Sequence, residues 1–443
     1  MTANKLYDDF LKHYDSLDLL LPDCNGVIRG KRIPASAAEK VFSDGVLFPA
    51  SVFAVDIRGE PCEKTHLGFE TGDADFCCPI IPDSLVPVPW AKNRAQVLLS
   101  MRDDKDEAFN CNPREILNSV NQRLNNDGYF PKIAVELEFF LFSQDFVQQP
   151  KPPINPVTKN PETSSQVYYM DDLDAYQDLI DAIGTACEAQ NIDAEAAVSE
   201  CAPGQFEINL KYSGNILKAC DDAILLKRVI KQVARQNGFI ASFMAKPYAN
   251  HSGCGSHVHV SCYDESGNNV FAKSDQHLQS AIAGMQQTMA ESMLIFAPHA
   301  NSYRRFQPDS YVAMNNSWGF NNRTVALRVP VSSEHNLRIE HRIAGADANP
   351  YLVVAAILSG MHYGLENSLE CDAPIEGNAY EKTQATNPTH WQDALNHFKN
   401  SQFIENYFNK DFLSVFTALK QEEMNQFNLA ITPLEYEWYL QTI

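Results

Sequence analysis

The sequence predicts an α+β protein in which a small N-terminal domain precedes a larger domain built on a sheet. Three observations support this prediction. Short strand-like runs separated by turn residues fill the first part of the chain, and a charged stretch at 102–112 then interrupts the pattern. Beyond it, strand-like and helical segments alternate, and the last third of the 443 residues is mainly helical. We therefore predict two domains, 1–107 and 108–443.

Local patterns define the elements of the N-terminal domain in turn. Leu6–Tyr14 has the spacing of a short amphipathic helix, and the run Leu17–Pro22 that follows is strand-like. Asn25-Gly26 predicts the turn of a hairpin, because both residues tolerate a positive φ. The remaining predicted elements are a helix at Pro34–Phe42 and strands at Ser51–Ile57 and Ala95–Met101.

In the larger domain, helices are predicted from capping residues and apolar spacing. Asn112 is a favourable N-cap and Pro113 suits the first helical position, so a helix is expected through Leu124. Gly238 provides a stop for the helix that begins at Asn215. Two further helices are predicted at Asp171–Gln190 and Asp275–Met293, and strands at Thr324–Pro330 and Asn336–Ile343.

The most informative stretch is Val135–Phe142, which reads VELEFFLF. Successive side chains of a strand point to opposite faces, so Glu136 and Glu138 share one face while Leu137 and Phe139 occupy the other. Two adjacent carboxylates repel each other and are costly to bury, and one or two divalent cations would remove that cost. A single pattern of this kind is equally typical of two glutamates on a solvated strand face.

The same alternation recurs in three other segments, each with polar or charged groups on one face. The segments are Glu200–Asn209 with Gln205, Glu207 and Asn209, Ser256–Ser261 with His257 and His259, and Leu337–Arg342 with Arg338, Glu340 and Arg342. Four such strands in one chain favour a sheet whose functional face carries metal ligands and phosphate-binding cations.

Composition excludes several classes of partner. The net charge of −21 disfavours nucleic acid and anionic membranes, and it is compatible either with attraction of a cationic substrate or with solubility alone. No apolar stretch approaches the roughly 18 residues of a membrane span, and the N-terminus lacks the features of a signal peptide. The eleven cysteines include no C-x-x-C pair. We therefore expect reduced thiols and a cytoplasmic location.

These residues lie in motifs whose order and spacing resemble the glutamine synthetase superfamily over essentially the whole chain. The motifs are VELEFFLF, PGQFEIN at Pro203–Asn209, KPYANHSGCGSHVHVS at Lys246–Ser261, NSYRR at Asn301–Arg305, NRTVALRVP at Asn322–Pro330 and RIEHRIAGADANPYL at Arg338–Leu352. Within the superfamily, DCNGVIRGKRIP is most similar to the γ-glutamyl-polyamine synthetases of the putrescine type. The resemblance implies a β-grasp-like N-terminal domain and a catalytic domain with a curved antiparallel sheet. It also implies a dodecamer of two stacked hexamers with intersubunit active sites.

The resemblance also implies a role for each residue that matches a motif position. Two ions per site, Mg²⁺ or Mn²⁺, would be held by Glu138, Glu200 and Glu207 and by Glu136, His257 and Glu340. ATP would contact Tyr212, His259, Ser261, Arg323, Arg328 and Arg338. L-Glutamate, the transferred phosphoryl group and the amine would contact Gly253, Arg305, Arg342 and Tyr311. Arg305, Arg323 and Arg342 would be catalytic, because they would neutralise charge on the phosphoryl oxygens. Surface salt bridges are the alternative role for each arginine.

Three positions depart from the ammonia-using members of the superfamily. Phe48–Phe53, which reads FPASVF, has no acid where those members carry an aspartate, and Ser252 replaces an asparagine. Tyr311 stands where those members carry a glutamate in the flap over the site. Fewer acids leave an ammonium ion with fewer partners, whereas an aromatic lining favours an alkylamine. Asp309 is close enough in sequence to act as a replacement acid.

The leading hypothesis is therefore an ATP-dependent ligase that joins the γ-carboxylate of L-glutamate to an organic amine through a γ-glutamyl phosphate. Putrescine or another polyamine is the expected amine. One alternative is a glutamine synthetase that uses ammonia. The other is a non-catalytic structural homologue, which six intact ligand positions disfavour.

Overall fold

A computed structural model of the chain describes residues 3–145 and 149–443, so the first two residues of the expected N-terminal domain lie outside the description. Fourteen strands are described: β1 Ser16–Pro22, β2 Ile28–Pro34, β3 Val46–Pro49, β4 Asp75–Cys78, β5 Val86–Pro87, β6 Arg94–Leu98, β7 Phe130–Ser143, β8 Ala194–Ser199, β9 Gln205–Leu210, β10 Phe239–Ser242, β11 Ser256–Tyr263, β12 Trp318–Phe320, β13 Leu327–Val329 and β14 Ile339–His341.

Fifteen α-helices accompany the strands in the same described residues. They are α1 Ala3–Leu11, α2 Glu39–Asp44, α3 Pro113–Asn126, α4 Met170–Ala175, α5 Gln177–Ala189, α6 Ile216–Gln236, α7 Val270–Lys273, α8 Asp275–Gln287, α9 Met289–Phe296, α10 Pro350–Glu366, α11 Ala379–Lys382, α12 Trp391–Lys399, α13 Gln402–Phe408, α14 Lys410–Asn428 and α15 Pro433–Tyr439. Among them, none combines the length and apolar character that crossing a bilayer requires.

The N-terminal elements form a mixed four-stranded sheet in the order β2-β1-β6-β5, beside a small β3–β4 pair. Strand β1 runs antiparallel to β2 and parallel to β6. Gly26 has a φ of +73° in the turn between β1 and β2, so the predicted hairpin is confirmed. The predicted helix at Pro34–Phe42 is instead a 3-10 turn at Ala35–Ala37 followed by α2.

The predicted strand at Ser51–Ile57 is wrong. Residues Ala50–Phe53 form a 3-10 turn, and the Phe53 ring is fully buried against the core without a ladder partner. The carboxylate of Asp56 accepts the backbone N–H groups of Arg58 and Glu60 at 2.8 and 3.0 Å. This side chain turns the backbone where the sequence alone suggested continued extension.

The chain from β7 onward forms an eight-stranded sheet with the order β12-β13-β14-β11-β7-β9-β8, and β10 pairs with the far end of β7. All of its pairs are antiparallel except β12–β13. Along β7, buried and half-exposed side chains alternate from Phe130 to Phe139, and helix α6 packs against this strand. These features confirm the predicted α+β architecture with a mainly antiparallel sheet.

Two long helices of the prediction are each divided in the structure. The Asp171–Gln190 pattern is interrupted at Tyr176, whose ring packs between Phe206 and Phe239 at centroid distances of 5.1 and 5.6 Å. The pattern at Asp275–Met293 is interrupted at Thr288. At Tyr176, packing of the ring overrides a continuous helical periodicity. At Thr288, the side-chain hydroxyl donates to the Gly284 carbonyl at 2.9 Å.

Helix α6 contacts the four-stranded N-terminal sheet. Arg228 on α6 donates to Asp18 and Gln96 in the N-terminal sheet, both at 3.0 Å. The boundary at residue 107 falls in the irregular segment between β6 and α3, where it stays a prediction.

Candidate active site

The polar faces of four adjacent strands form one continuous surface in the middle of the large sheet. Strand pairing places Glu136 on β7 opposite His257 on β11 and opposite Asn209 on β9. The same pairing places Glu138 opposite Glu207 and His259 opposite Glu340. Residues that lie far apart along the chain therefore meet because the period-2 pattern is kept in every strand. We call this surface the acidic face.

The first half of the acidic face contains Glu136, His257 and Glu340, each of which offers a ligand atom within 4.8 Å of the others. His257 Nδ1 lies 3.2 Å from Glu136 Oε2 and 3.9 Å from Glu340 Oε1. His259 Nε2 lies 3.0 Å from Glu136 Oε1, and Arg338 Nε donates to His259 Nδ1 at 3.2 Å. Since Nδ1 accepts from an arginine, Nε2 carries the ring proton and donates it to Glu136.

Positive partners compensate the charge of this half. The buried Glu340 carboxylate accepts a hydrogen bond from Arg328 Nη1 at 2.8 Å and another from Arg342. Burial acts to raise the pKa of Glu340, but the charge of Arg342 and the neighbouring His257 and His259 lower it to about 2. Burial also acts to raise the pKa of Glu136. The hydrogen bonds of His257 and His259 outweigh this effect, so the pKa of Glu136 lies well below its usual range.

The second half contains Glu138, Glu207 and His257, which also bring ligand atoms within 4.8 Å. Glu138 Oε2 accepts from Gln205 Nε2 at 2.9 Å and from the Gly255 backbone N–H at 2.8 Å. Burial and the charges of Glu136, Glu138 and Glu200 raise the pKa of Glu207 to about 9. This half therefore has an excess of negative charge.

Glu200 lies in the loop that joins β8 to β9 and does not belong to either three-residue group. Its pKa is nevertheless raised to about 7, first by burial and then by the charge of Glu138. The structure thus places Glu200 within electrostatic range of the second half, while His257 takes the third position of the predicted Glu138–Glu200–Glu207 set. The role of Glu200 as a metal ligand stays a prediction.

The donor chemistry of the acidic face fits divalent cations. Carboxylate oxygens dominate, which suits Mg²⁺, and imidazole nitrogen from His257 is acceptable to Mn²⁺. The raised pKa values of Glu207 and Glu200 show that the second half lacks the positive charge that would let both ionise. Glu138, Glu207 and Glu200 would hold one ion and Glu136, His257 and Glu340 the other.

Buried arginines surround the acidic face and keep donor capacity unused. Among the described residues, the buried Nε atoms of Arg305, Arg328 and Arg342 have no hydrogen-bond partner. Arg305 is 1% exposed and donates through Nη1 to the Ile343 carbonyl at 3.0 Å. Burying a guanidinium with an unpaired N–H is costly, so these groups are suited to an anionic ligand.

Gly253 lies directly against Arg305. A Cβ at this position would lie 2.7 Å from Arg305 Cγ and 3.1 Å from the Ala245 carbonyl oxygen, so no other residue fits without displacement. The Gly253 carbonyl accepts from Gln205 Nε2 at 2.9 Å. The structure therefore shows Gly253 giving room to Arg305, and its approach to a bound ligand stays a prediction.

A cavity of about 440 Å³, here called the Tyr212 cavity, opens beside the first half of the acidic face. Tyr212, His259 and Arg338 line it together with Glu136 and Asn336, as expected for the nucleotide side. Ser261 is not among the residues that line it. Ser261 is fully buried and donates its hydroxyl to the Leu337 carbonyl at 2.9 Å, so it fixes the backbone next to Arg338.

A second cavity of about 590 Å³, here called the Tyr311 cavity, is lined by Tyr311 and by Asp309, the candidate replacement acid, whereas Ser252 and the Phe48–Phe53 stretch do not line it. Asp309 and Tyr311 both have a φ of +57°, in a loop whose Tyr311 ring is 61% exposed. Arg323 also lines this cavity, and its pKa is raised by the charges of Tyr168, Glu340 and Glu136 against the opposing effect of burial. Arg323 therefore lies between the cavity and the acidic face.

Sequence reasoning missed several residues of the Tyr311 cavity, and Phe320 and Glu376 are the ones that bear on its chemistry. Phe320 is 59% exposed at the end of β12, two positions before Asn322, and Glu376 lies in the loop after α10. The exposed phenylalanine beside a recognised motif is a signal that could have been noticed. Nothing in the local sequence of Glu376 marks it, because only the fold brings its loop to this cavity.

Comparison with known proteins identifies the family. Residues 110–439 match the family model described as glutamine synthetase, catalytic domain. The chain is 43% identical to gamma-glutamylputrescine synthetase PuuA of Escherichia coli K12, with 97% of this chain and 93% of that protein covered. It is 34% identical to the glutamate–isopropylamine ligase of a Pseudomonas species, with 99% and 98% covered.

A solved structure shows the same fold. The chain superposes on GmaS without ligand with a TM-score of 0.84, covering 98% of this chain and 99% of that chain, at 24% identity. The match over most of the chain and the level of identity to several relatives agree with the strand order and the acidic face described above. The chain belongs to the glutamine synthetase family.

Proposed function

We propose that the chain is an ATP-dependent ligase that joins the γ-carboxylate of L-glutamate to a primary alkylamine, with putrescine or another polyamine as the natural acceptor. The observation that carries this proposal is the pairing of an acidic face, which fits divalent cations, with a neighbouring cavity that is aromatic and acidic. Relatives named as ligases of glutamate with putrescine and with isopropylamine support the same reaction class.

In the first step of the proposed reaction, a γ-carboxylate oxygen of glutamate attacks the γ-phosphorus of ATP, and ADP leaves. The unpaired Nε groups of Arg305 and Arg342 would donate to glutamate or to the transferring phosphoryl oxygens. Arg323, which faces the Tyr311 cavity, would stabilise the phosphoryl group from the other side. Bound divalent cations would supply charge neutralisation for the phosphate oxygens and for the carboxylate.

In the second step, the amine nitrogen attacks the acyl carbon of γ-glutamyl phosphate, an amide bond forms, and inorganic phosphate leaves. The attacking nitrogen must be neutral and must lose a further proton as the amide forms. Asp309 and Glu376 are the carboxylates that line the Tyr311 cavity and are the candidate proton acceptors.

The Tyr311 cavity also suits the rest of a diamine. The rings of Tyr311 and Phe320 would contact the methylene chain, and a carboxylate of Asp309 or Glu376 would pair with the distal ammonium. Ammonia has neither a chain nor a second charge, so these groups would stabilise only the larger acceptor. The overall charge of −21 would assist the approach of a dication.

The dodecamer implied by the sequence resemblance remains part of this proposal. The C-terminal residues Leu434, Trp438, Leu440 and Ile443 are exposed in the single chain, which supports a further subunit contact. Light scattering coupled to size-exclusion chromatography is expected to give twelve times the chain mass of 49.6 kDa. A monomeric enzyme with full activity would contradict shared active sites.

The test is an amine panel. Purified protein with ATP, Mg²⁺ and L-glutamate is assayed for phosphate release with ammonium, monoamines, diamines and longer polyamines. We expect kcat/KM to be highest for a diamine or polyamine, and strong turnover with ammonium alone would reject the proposal in favour of a glutamine synthetase. Absence of ATP and metal binding in calorimetry would instead indicate a non-catalytic homologue.

The phosphorylated intermediate has its own test. Glutamate labelled with ¹⁸O in its γ-carboxylate should transfer one ¹⁸O atom per turnover to the released phosphate. Unlabelled phosphate would exclude an acyl phosphate.

Variants of Tyr311 separate its aromatic contact from a purely structural role. Tyr311→Phe keeps the ring and should retain activity with diamines, whereas Tyr311→Ala should lower kcat/KM for them about tenfold. Tyr311→Glu should raise the use of ammonium relative to diamines. Equal losses of kcat/KM for every amine in all three variants would show that Tyr311 supports the conformation of its loop and does not contact the amine through its ring.

A further inference from the structure

A second group of metal-ligating side chains lies on the helical side of the protein and shares no residue with the acidic face. Asp127, His362 and Glu366 each place a ligand atom within 4.8 Å of the other two. His362 and Glu366 are one helical turn apart in the last turn of α10, and Asp127 directly follows the last residue of α3. The spacing of four residues puts an imidazole and a carboxylate on one face of α10.

The histidine is already oriented for coordination. His362 is 1% exposed, its Nε2 lies 2.8 Å from Asp127 Oδ2, and its Nδ1 lies 2.8 Å from the Tyr407 hydroxyl. For Nε2 to bind a cation, the ring proton must sit on Nδ1, where the Tyr407 oxygen can accept it. A hydrogen-bond partner on the second ring nitrogen is the arrangement that most metal-binding histidines have.

The electrostatics of the group call for a cation. Asp127 and Glu366 lie at the C-terminal ends of α3 and α10, where the helix dipole is negative and disfavours a carboxylate. Within residues 3–145 and 149–443, neither carboxylate forms an ion pair with lysine or arginine. Arg123, in the last turn of α3, instead stacks 4.2 Å over the Tyr407 ring.

We propose that Asp127, His362 and Glu366 bind a divalent first-row transition metal ion of the Zn²⁺ type, separate from the ions of the catalytic reaction. One imidazole nitrogen and two carboxylate oxygens form a ligand set that Zn²⁺ accepts, with water completing a tetrahedral site. Asp127 and Glu366 are exposed, so the ion has access from solvent, while the buried His362 anchors it.

The position of the site indicates a structural effect. Gly128 and Tyr129 alone separate Asp127 from β7, the strand that carries Glu136 and Glu138. An ion shared by the ends of α3 and α10 would link the start of β7 to the helical layer. It should therefore stabilise the folded chain without taking part in the reaction.

The competing explanation is an imidazolium of His362 held between two carboxylates, which would bind no cation. The two explanations differ in metal content. Bound Zn²⁺ is measured by equilibrium dialysis of the full-length protein against micromolar Zn²⁺ with excess Mg²⁺. The wild type should bind one Zn²⁺ ion per chain that the Glu366→Gln and Asp127→Asn variants do not bind. We expect Zn²⁺ affinity at this site to fall about tenfold or more in each variant.

Both substitutions are at exposed positions and keep side-chain size, so they should fold even where a change of buried His362 would not. Glu188→Gln on α5, a helix that contributes no member of the group, is the control with the same change in charge. Glu138→Gln combined with Glu207→Gln removes part of the acidic face and should leave the additional ion in place.

Thermal unfolding provides the second readout. Zn²⁺ should raise the melting temperature of the wild type and of Glu188→Gln, and the increase should be absent in Glu366→Gln. Equal Zn²⁺ content and equal thermal shifts in the wild type and Glu366→Gln would overturn the proposal. Because the site shares no residue with the acidic face, this result would leave the proposed ligase activity unaffected.

Discussion

The two halves of the acidic face differ in how their negative charge is balanced. Around Glu340, Arg342 and two histidines hold the pKa of the carboxyl near 2, and Arg328 donates a hydrogen bond to it. Around Glu207, three neighbouring glutamates and burial raise the pKa of the carboxyl to about 9. The two carboxylates lie on the same face of one sheet and are both at least nine-tenths inaccessible to solvent.

The difference shows what each half requires. The Glu340 half is satisfied by the protein's own cations, so its geometry is fixed before any ligand binds. The Glu207 half can ionise fully only when positive charge arrives from outside the chain. A site that binds divalent cations can use both features, a half whose geometry is fixed and a neighbouring half with a charge deficit.

The largest effect should come from breaking the balanced half. Glu340→Gln removes the charge to which Arg328 and Arg342 donate and leaves two largely buried guanidinium groups uncompensated. We expect a loss of about 3 kcal/mol in the free energy of unfolding of the metal-free protein. Urea unfolding in EDTA measures it. Glu207→Gln is the matched control and should change stability by less than about 1 kcal/mol at pH 7, because the raised pKa of Glu207, about 9, favours its protonated form.

Glu207→Gln should have little effect on stability but a large effect on metal affinity. Glu207→Gln removes a charge that the metal-free protein does not carry but the metal complex needs, so Mg²⁺ affinity should fall about 10- to 100-fold. Isothermal titration calorimetry measures the change. Glu195→Gln, an exposed acid of the Tyr212 cavity outside both halves, is the control and should bind as the wild type does. Equal affinities in all three proteins would refute the charge deficit.

The pH dependence of metal binding sharpens the comparison. The pKa of Glu207 is 4.5 in the unfolded chain and about 9 in the metal-free folded chain. Between these pH values the folded chain holds a proton on Glu207 that the unfolded chain has lost. The free energy of unfolding therefore declines as pH rises through that range. Mg²⁺ requires the ionised carboxylate, so the thermal stabilisation by Mg²⁺ should grow from pH 6 to pH 9.

Calorimetry in buffers of different ionisation enthalpy gives the proton count directly. About one to two protons should be released per subunit on Mg²⁺ binding at pH 7, from Glu207 and in part from Glu200, whose pKa is about 7. Release of no protons would mean that both carboxylates are ionised without metal.

The smallest effect is expected at the edge of the balanced half. Arg338→Gln removes the donor to His259 Nδ1, which lets the imidazole change tautomer and weakens its hydrogen bond to Glu136. Since Arg338 is half-buried, the loss of stability should be about 0.5–1 kcal/mol. The ¹⁵N chemical shifts of the His259 ring should report the tautomer change. An unchanged ring spectrum would contradict the hydrogen-bond chain.

Much of the acidic face could be predicted from the sequence because its strands obey a strict alternation. Glu136, Glu138 and His257 needed only the period of a strand and its pairing partners. The place of His257 in both halves, with Glu200 outside them, was not predictable, because it depends on how β11 sits between β7 and β14.

Residues on irregular segments were the hardest to predict. Glu376 and Phe320 reach the Tyr311 cavity through loops that carry no periodic signal. The strand expected at Ser51–Ile57 failed because the Asp56 side chain captures backbone N–H groups and turns the chain. Both cases depend on contacts between distant segments or on side-chain hydrogen bonds. The hydrophobic pattern of the sequence predicts neither kind of interaction.

The Glu340 half is balanced in charge, and the Glu207 half requires added cations. The most direct test of this difference is a crystal structure with Mn²⁺ and a non-hydrolysable ATP analogue. Anomalous scattering recorded at the manganese edge locates the ions without reference to the protein chemistry. We expect one peak within about 2.5 Å of carboxylate oxygens of both Glu138 and Glu207. No anomalous peak on the acidic face at saturating Mn²⁺ would contradict the account.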